Sequence, residues 1–281
     1  MPNTNSSSER LLLLGLRGSS LSVIIFSISV SLSTANWVAF NDCVYEKGVQ
    51  FTKKNVTTFG LGRGNPFPVE GNLLQFKDGE DTGVTVSFVE HKSQGNTINW
   101  AKDGSTFNDG SDAFKIFNDI VDVGGNMSYN DGPKWHLDLI ISGLEPQSLY
   151  TFVGTVNRKG GVGYKERITN WKILEADGFE YACSIDAHKI DDGQVEFSTG
   201  ENSEGLVAKW ADIGSGKDGK FIVRTSHGIG EKKGGIKGAH EYKGYAAGIF
   251  MLEYQGPRST NPGRDRIPTI WSRLKQDIKI H

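Results

Sequence analysis

The sequence lacks most of the features that announce a functional class, and each absence removes a possibility. It carries no charge excess: Lys and Arg number 31 against 33 Asp and Glu, a formal net charge of −2. A nucleic-acid binder needs a basic face to displace phosphate counterions, so this balance argues against one. Motifs of catalysis are missing too. There is no Gly-x-Ser-x-Gly elbow, no His-Glu-x-x-His, no Gly-x-x-x-x-Gly-Lys-Ser/Thr loop and no Cys-x-x-Cys pair. That sets aside the motif-marked hydrolases, zinc proteases, phosphate-binding loops and dithiol redox proteins. Carboxylates that meet across a cleft need no sequence proximity, so a glycan-active enzyme stays as the remoter alternative.

Cysteine is scarce, with Cys43 and Cys183 alone. In an exported protein the two form either one bridge or two buried thiols, and spacing does not choose between them. Long apolar runs are also scarce. Arg10 and Arg17 precede Leu21–Leu32, which ends in the small-residue run Ser33-Thr34-Ala35. This reads as a signal peptide over 1–35. An uncleaved anchor is the competing reading, but a span wants about 20 mostly apolar residues, and Arg17 and several serines interrupt this one. The expectation is a secreted or cell-surface protein with no stable membrane span after leader cleavage.

What the chain does contain is glycine, 36 residues, with 23% charged residues, a balance that favours a turn-rich β protein. Short apolar segments alternate between Gly, Asn and Asp clusters. Among them are Trp37–Phe40, Asn55–Phe59, Leu73–Phe76, Val84–Val89, Trp135–Ser142, Leu149–Asn157, Arg167–Leu174, Gln194–Ser198, Leu206–Trp210, Phe221–Thr225 and Tyr245–Leu252. Alternation gives them faces: Trp135, Leu137, Leu139 and Ile141 share one, and Tyr150, Phe152, Gly154 and Val156 share another. One segment breaks the pattern. Ser111–Val121 spaces Phe114, Phe117 and Val121 for a short helix capped by Ser111 or Asp112, covering one end of the sandwich. The fold expected from this pattern is all-β, a sandwich or barrel with one short helix, and the resemblance described next implies a single large antiparallel β-sandwich of jelly-roll type. It spans 36–255, followed by a linker and short helical tail over 256–281 that either packs or serves sorting.

The run Leu144-Glu-Pro146-Gln-Ser-Leu-Tyr150 resembles the E–F corner of fibronectin type III domains. That resemblance implies a buried Leu144, a turn at Pro146 and a Tyr150 phenol bonded to backbone upstream. On a larger scale Trp37–Tyr254 resembles uncharacterised domains of exported bacterial proteins, of the jelly-roll, galactose-binding-like kind. The residues that carry this are Ala39–Asp42, Asn55–Phe59, Gly110–Phe114, the Gly143–Pro146 corner, Asn157-Arg158, Val207–Trp210 and Lys243–Ala246. It implies one sandwich rather than two domains and no established activity.

The candidate ligand residues are Asn157, Arg158, Tyr164, Trp100 and Tyr242. Arg offers a planar fork of donors, and loop aromatics stack on sugar rings or plug the sandwich end. A structural calcium site is a further candidate, with Asn41 and Asp42 meeting Asp112 or Asp122, against turn and cap roles for the same residues. The histidines show no pairing in sequence. The Lys-rich loop Gly228–Lys243 reads as mobile and solvated rather than as a polymer-binding patch. The function expected is a non-catalytic exported module that recognises an extracellular glycan or cell-surface component through loops at one sandwich end. A structural or adhesive spacer is the alternative.

Overall fold

Alternation along the strands builds two sheets. The structure is a computed structural model that describes residues 36–43, 53–59, 68–91, 98–101, 104–121, 123, 126–129, 134–158, 160–161, 163–240 and 242–258, with backbone alone at 98–101 and 126–129. The signal peptide expected over 1–35, the short helix expected in the tail after Arg258, and Asp122 lie outside the described residues. In chain order the elements begin with β1 (Trp37–Asp42), β2 (Glu70–Leu74), β3 (Asp81–His91), β4 (Ile98–Ala101), α1 (Asp112–Phe117) and β5 (Asn126–Tyr129). They continue with β6 (His136–Ser142), β7 (Ser148–Thr155), β8 (Ile168–Leu174), β9 (Glu180–Tyr181) and β10 (His188–Asp191). The last are β11 (Gln194–Ser198), β12 (Ala208–Gly214), β13 (Lys220–His227), β14 (Gly244–Tyr245) and β15 (Ile249–Pro257).

A five-stranded sheet in the order β1-β15-β7-β12-β9 faces a seven-stranded sheet in the order β10-β11-β8-β13-β6-β3-β2, and β14-β5-β4 form a third, small sheet. All pairings between named strands are antiparallel. The chain is thus an antiparallel β-sandwich, and both halves of the sequence build both sheets. The edge of a fibronectin-sized unit near Leu174 does not exist, because β7 pairs with β12 and β15.

The expected faces are realised. Trp135, Leu137, Leu139 and Ile141 all enter the core between the sheets, together with Tyr150, Phe152 and Val156. Aromatic rings bridge the layers: Phe88 of β3 meets Phe250 of β15 at 6.3 Å, and Phe152 stacks on Phe250 at 5.7 Å. Gly154 is required by this packing. A β-carbon there would stand 2.7 Å from the Trp171 ring of the opposite sheet, so the strand yields its side chain to the indole.

The helix sits elsewhere than expected. Ser111 caps it, its Oγ accepting from Phe114 N–H at 3.2 Å. Its buried Ala113, Ile116 and Phe117 pack with Val38, Phe40, Val153, Ile249 and Met251, which point away from the main core. It therefore covers the outer face of the five-stranded sheet, forming a second apolar layer, instead of plugging an end. Among the described residues no helix is long and apolar enough to cross a membrane. Gly256 and Pro257, expected as the start of the linker, instead close β15, where Pro257 pairs with Ser148; a terminal strand position tolerates the missing N–H. Asn55–Phe59 forms no named strand, only a bridge from Thr57 to Asn41.

The Leu144–Tyr150 corner joins β6 to β7 and so carries the chain from one sheet to the other. Leu144 is buried, and the Glu145 N–H donates to Tyr150 Oη at 2.8 Å. The Tyr254 hydroxyl donates to Glu145 Oε2 at 2.8 Å and secures the turn a second time. Tyr150→Phe removes the acceptor and is expected to cost about 1–2 kcal/mol, measured as a lower urea midpoint with an unchanged m-value.

Cys43 and Cys183 are both free thiols. Burial and the neighbouring Asp42 charge raise the Cys43 thiol well above its usual range, and burial pushes Cys183 up to about 11. Since the thiolate is the nucleophile, neither reacts readily in the fold. A thiol reagent is expected to count two thiols in unreduced, denatured protein and almost none before denaturation; a bridge would give none in either state.

Candidate functional site

The loop that follows β7 is anchored by amides before it reaches its charged residues. Asn157 is buried, its Nδ2 donating to Ser105 O and Thr106 O at 3.0 and 2.9 Å, and its Oδ1 accepting from Asn202 N–H at 2.8 Å. Asn202 in turn donates to Thr155 Oγ1, Val156 O and Leu206 O. Three segments are thereby tied together at one end of the sandwich. The Asn157 side chain serves them as a tie, bonded to backbone, and the half-buried Arg158 beside it carries the charge.

Arg158 and Arg167 stand at the two ends of the loop, and both are fixed to one segment: Arg158 N–H donates to Thr199 O, while Arg167 O accepts from Thr199 and Gly200 N–H. Gly200 is glycine because a β-carbon would lie 1.9 Å from Tyr164 O. The two guanidiniums converge. Each donates through Nη1 to the same Tyr245 hydroxyl at 2.5 Å, and each lies over the Tyr164 ring, at 4.4 Å for Arg158 and 4.5 Å for Arg167. Tyr245 is buried and held through its own backbone by Thr169 and Thr199. Burial raises its pKa against the pull of both arginines, so the phenol keeps its proton at neutral pH.

This arrangement concentrates donors. The bonded nitrogens lie within 2.5 Å of one oxygen, so like charges repel by on the order of 2–3 kcal/mol at near-surface screening. Stacking on Tyr164 returns only about 0.5–1 kcal/mol per guanidinium at such a site. Among the described residues Arg167 meets no carboxylate within ion-pair distance. Among the described residues its Nε is buried without a hydrogen-bond partner, and no acceptor among them takes the Tyr245 O–H, whose oxygen accepts from both guanidiniums. Outside the cluster the loop presents a shallow depression of about 620 Å³ lined by Gly160, Gly161, Gly163, Lys165, Glu166 and Glu201. There Lys165 is paired with Glu201 at 3.3 Å.

A second place of chemical interest lies on the outer face of the seven-stranded sheet. Cross-strand register sets Glu196, Asn170, Ser226, His136 and His91 in one row over five strands. At its β11 end the Glu196 carboxylate is buried and accepts from Ile229 N–H at 2.6 Å, Ile236 N–H at 2.9 Å and Asn170 Nδ2 at 3.2 Å. The Lys-rich loop is therefore pinned onto the sheet, where composition had indicated a mobile one. Between loop and sheet runs a groove of about 760 Å³, lined among others by Trp135, His136, Arg224, His227, Ile229 and Tyr242. At the other end of the row His91 and His136 stack at 4.2 Å beside Asp138, which Arg224 engages through both carboxylate oxygens at 2.7 and 2.8 Å.

The structure thus brings Arg158 and Tyr164 together and places Tyr242 in the groove, its ring edge-on to His227 at 6.2 Å. Trp100 lies on β4, with its side chain outside the described residues. Of the calcium candidates, Asn41 and Asp42 leave β1 on opposite faces; Asn41 bonds Phe59 through both amide atoms, and Asp112 accepts from Ser184 Oγ at 2.7 Å. Sequence reasoning missed Arg167, Tyr245 and the His91–His136 pair. The one local signal was His136-x-Asp138, two ligand types on the same face of an alternating strand.

Glu196→Gln keeps the shape of the staple but leaves one loop N–H facing an amide donor. The expected result is faster hydrogen exchange at Ile229 and Ile236 and a loss of about 1–3 kcal/mol, read by exchange mass spectrometry and urea unfolding.

No family model, no curated protein and no solved structure matches this chain, so its function has to be read from these side chains.

Proposed function

We propose that the protein is an exported, non-catalytic binding module that recognises an acidic extracellular glycan through the loop at Arg158–Arg167. The observation that supports this is the convergence of Arg158 and Arg167 on the Tyr245 phenol, with the Arg167 Nε and the Tyr245 O–H both in want of an acceptor. A carboxylate or sulfate supplies several acceptor oxygens at once and relieves the repulsion between the guanidiniums. Tyr164, already carrying both guanidiniums, orients the donors rather than offering a bare face to a sugar ring. Neutral sugar hydroxyls relieve no charge and bind less well in this reading.

A structural spacer is favoured by one observation of its own: Tyr245 is fully buried, as befits a residue that clamps two segments together. The two readings separate by experiment. Calorimetry on the full chain is expected to show binding of uronate- or sulfate-bearing oligosaccharides, weakening with salt, and little heat with neutral ones. Arg167→Gln is expected to weaken that binding at least tenfold, about 1.4 kcal/mol, while leaving the melting temperature of the free protein level or raised. A lower melting temperature with no glycan binding in the parent protein would establish the clamp instead.

A further inference from the structure

We propose that His91, His136 and Asp138 form a site for a divalent first-row transition ion of the zinc class on the outer face of the seven-stranded sheet. The three residues each offer a ligand atom, all within 4.8 Å of one another. They come from two adjacent strands in register: His91 of β3 is paired directly with His136 of β6, and Asp138 follows two positions later on the same face. Two imidazoles and one carboxylate suit zinc, cobalt and nickel, whereas calcium takes oxygens alone.

The spacing is close to what one ion needs. Ligand bonds of about 2.0–2.2 Å put two donors of one ion about 2.9–3.5 Å apart, and His91 Nε2 stands 3.2 Å from Asp138 Oδ2. The His136 donor lies within 4.8 Å of the other two, and because its ring is stacked on His91 with the planes turned by only 17°, it joins them by swinging about its side-chain torsions.

Arg224 orients the set. It engages Asp138 through Nε and Nη2, which fixes the carboxylate plane and leaves further lone pairs for an ion, since each carboxylate oxygen has two. This is the role outer hydrogen bonds play for metal ligands, although the guanidinium charge lowers the affinity. Asp138 is 5% exposed and His91 45%, so the ion enters from the His91 side. His136 and Arg224 also line the groove under the pinned loop, so the remaining coordination positions face a cavity large enough for an oxygen-bearing ligand.

Cobalt(II) titrated into the chelator-stripped full chain tests this. The expected result is a visible ligand-field band saturating at one equivalent and displaced by zinc. His91→Ala and His136→Ala should each weaken binding at least about tenfold, while His227→Ala, in the same groove but outside the triad, leaves it unchanged. Circular dichroism of each variant guards against unfolding. Paramagnetic broadening of the His91 and His136 ring resonances in the unaltered protein supplies a readout that needs no substitution. Broadening confined to other histidines, or cobalt affinity unchanged in His91→Ala, overturns the assignment, as does a failure of the unaltered chain to bind cobalt or zinc at submillimolar concentration.

Discussion

Strand β7 is buried on both of its faces, and the rest of the molecule is arranged around that constraint. Tyr150 and Phe152 enter the core between the sheets, while Val153 enters the second layer beneath helix α1. A strand apolar on both sides demands cover on both sides, which is why a single short helix is kept on the outer face of the five-stranded sheet. Each end of β7 is locked by a polar side chain. At one end the Tyr150 phenol takes the Glu145 N–H; at the other the Asn157 amide takes up three loop backbones. Arg158, the next residue, inherits its position from that lock.

Local pattern was enough for the parts of this arrangement that are local. Alternation in Trp135–Ile141 and the Leu-x-Pro-x-x-x-Tyr spacing at Leu144–Tyr150 each encode their geometry within a few residues, and both are realised. Arg158 and Tyr164 lie six positions apart in one loop and could be paired by eye. Tyr245 is 87 positions from Arg158, and its arrival depends on where β14 lands, which depends in turn on the pairing of every strand between. The same holds for His91 and His136, joined by the register of β3 with β6. The helix was readable but its seat was not, because periodicity says which face is apolar and not which surface will cover it. The Lys-rich loop shows a different failure. Its glycines and charges indicate a solvated segment, and one buried carboxylate from a distant strand, Glu196, overrules them.

The buried polar groups of the molecule fall into two kinds, and the contrast bears on function. Asn157, Asn202 and Glu196 bond backbone of other segments, Asn202 and Glu196 with a side-chain partner as well, as interior polar groups ordinarily must. These are the residues that hold loops in place. Arg167 and Tyr245 differ. Among the described residues no acceptor meets the Arg167 Nε, although Arg167 and Tyr245 are fixed by Thr169, Thr199 and Gly200 as firmly as any structural residue.

Rigidity at such a place costs stability, since a free surface arginine would turn to water and away from its neighbour. Holding two guanidiniums on one phenol gives up that relief, worth on the order of 2–3 kcal/mol by the screening argument, and keeps both sets of donors in fixed positions. The outer face of the larger sheet reaches a comparable state by another route. There Arg224 holds Asp138 in one plane beside two stacked imidazoles, and the strand register alone keeps the three ligand types together. In both places the sandwich acts as a frame that fixes polar side chains against their own preference, and in both it is long-range β pairing, rather than any loop sequence, that selects which residues meet.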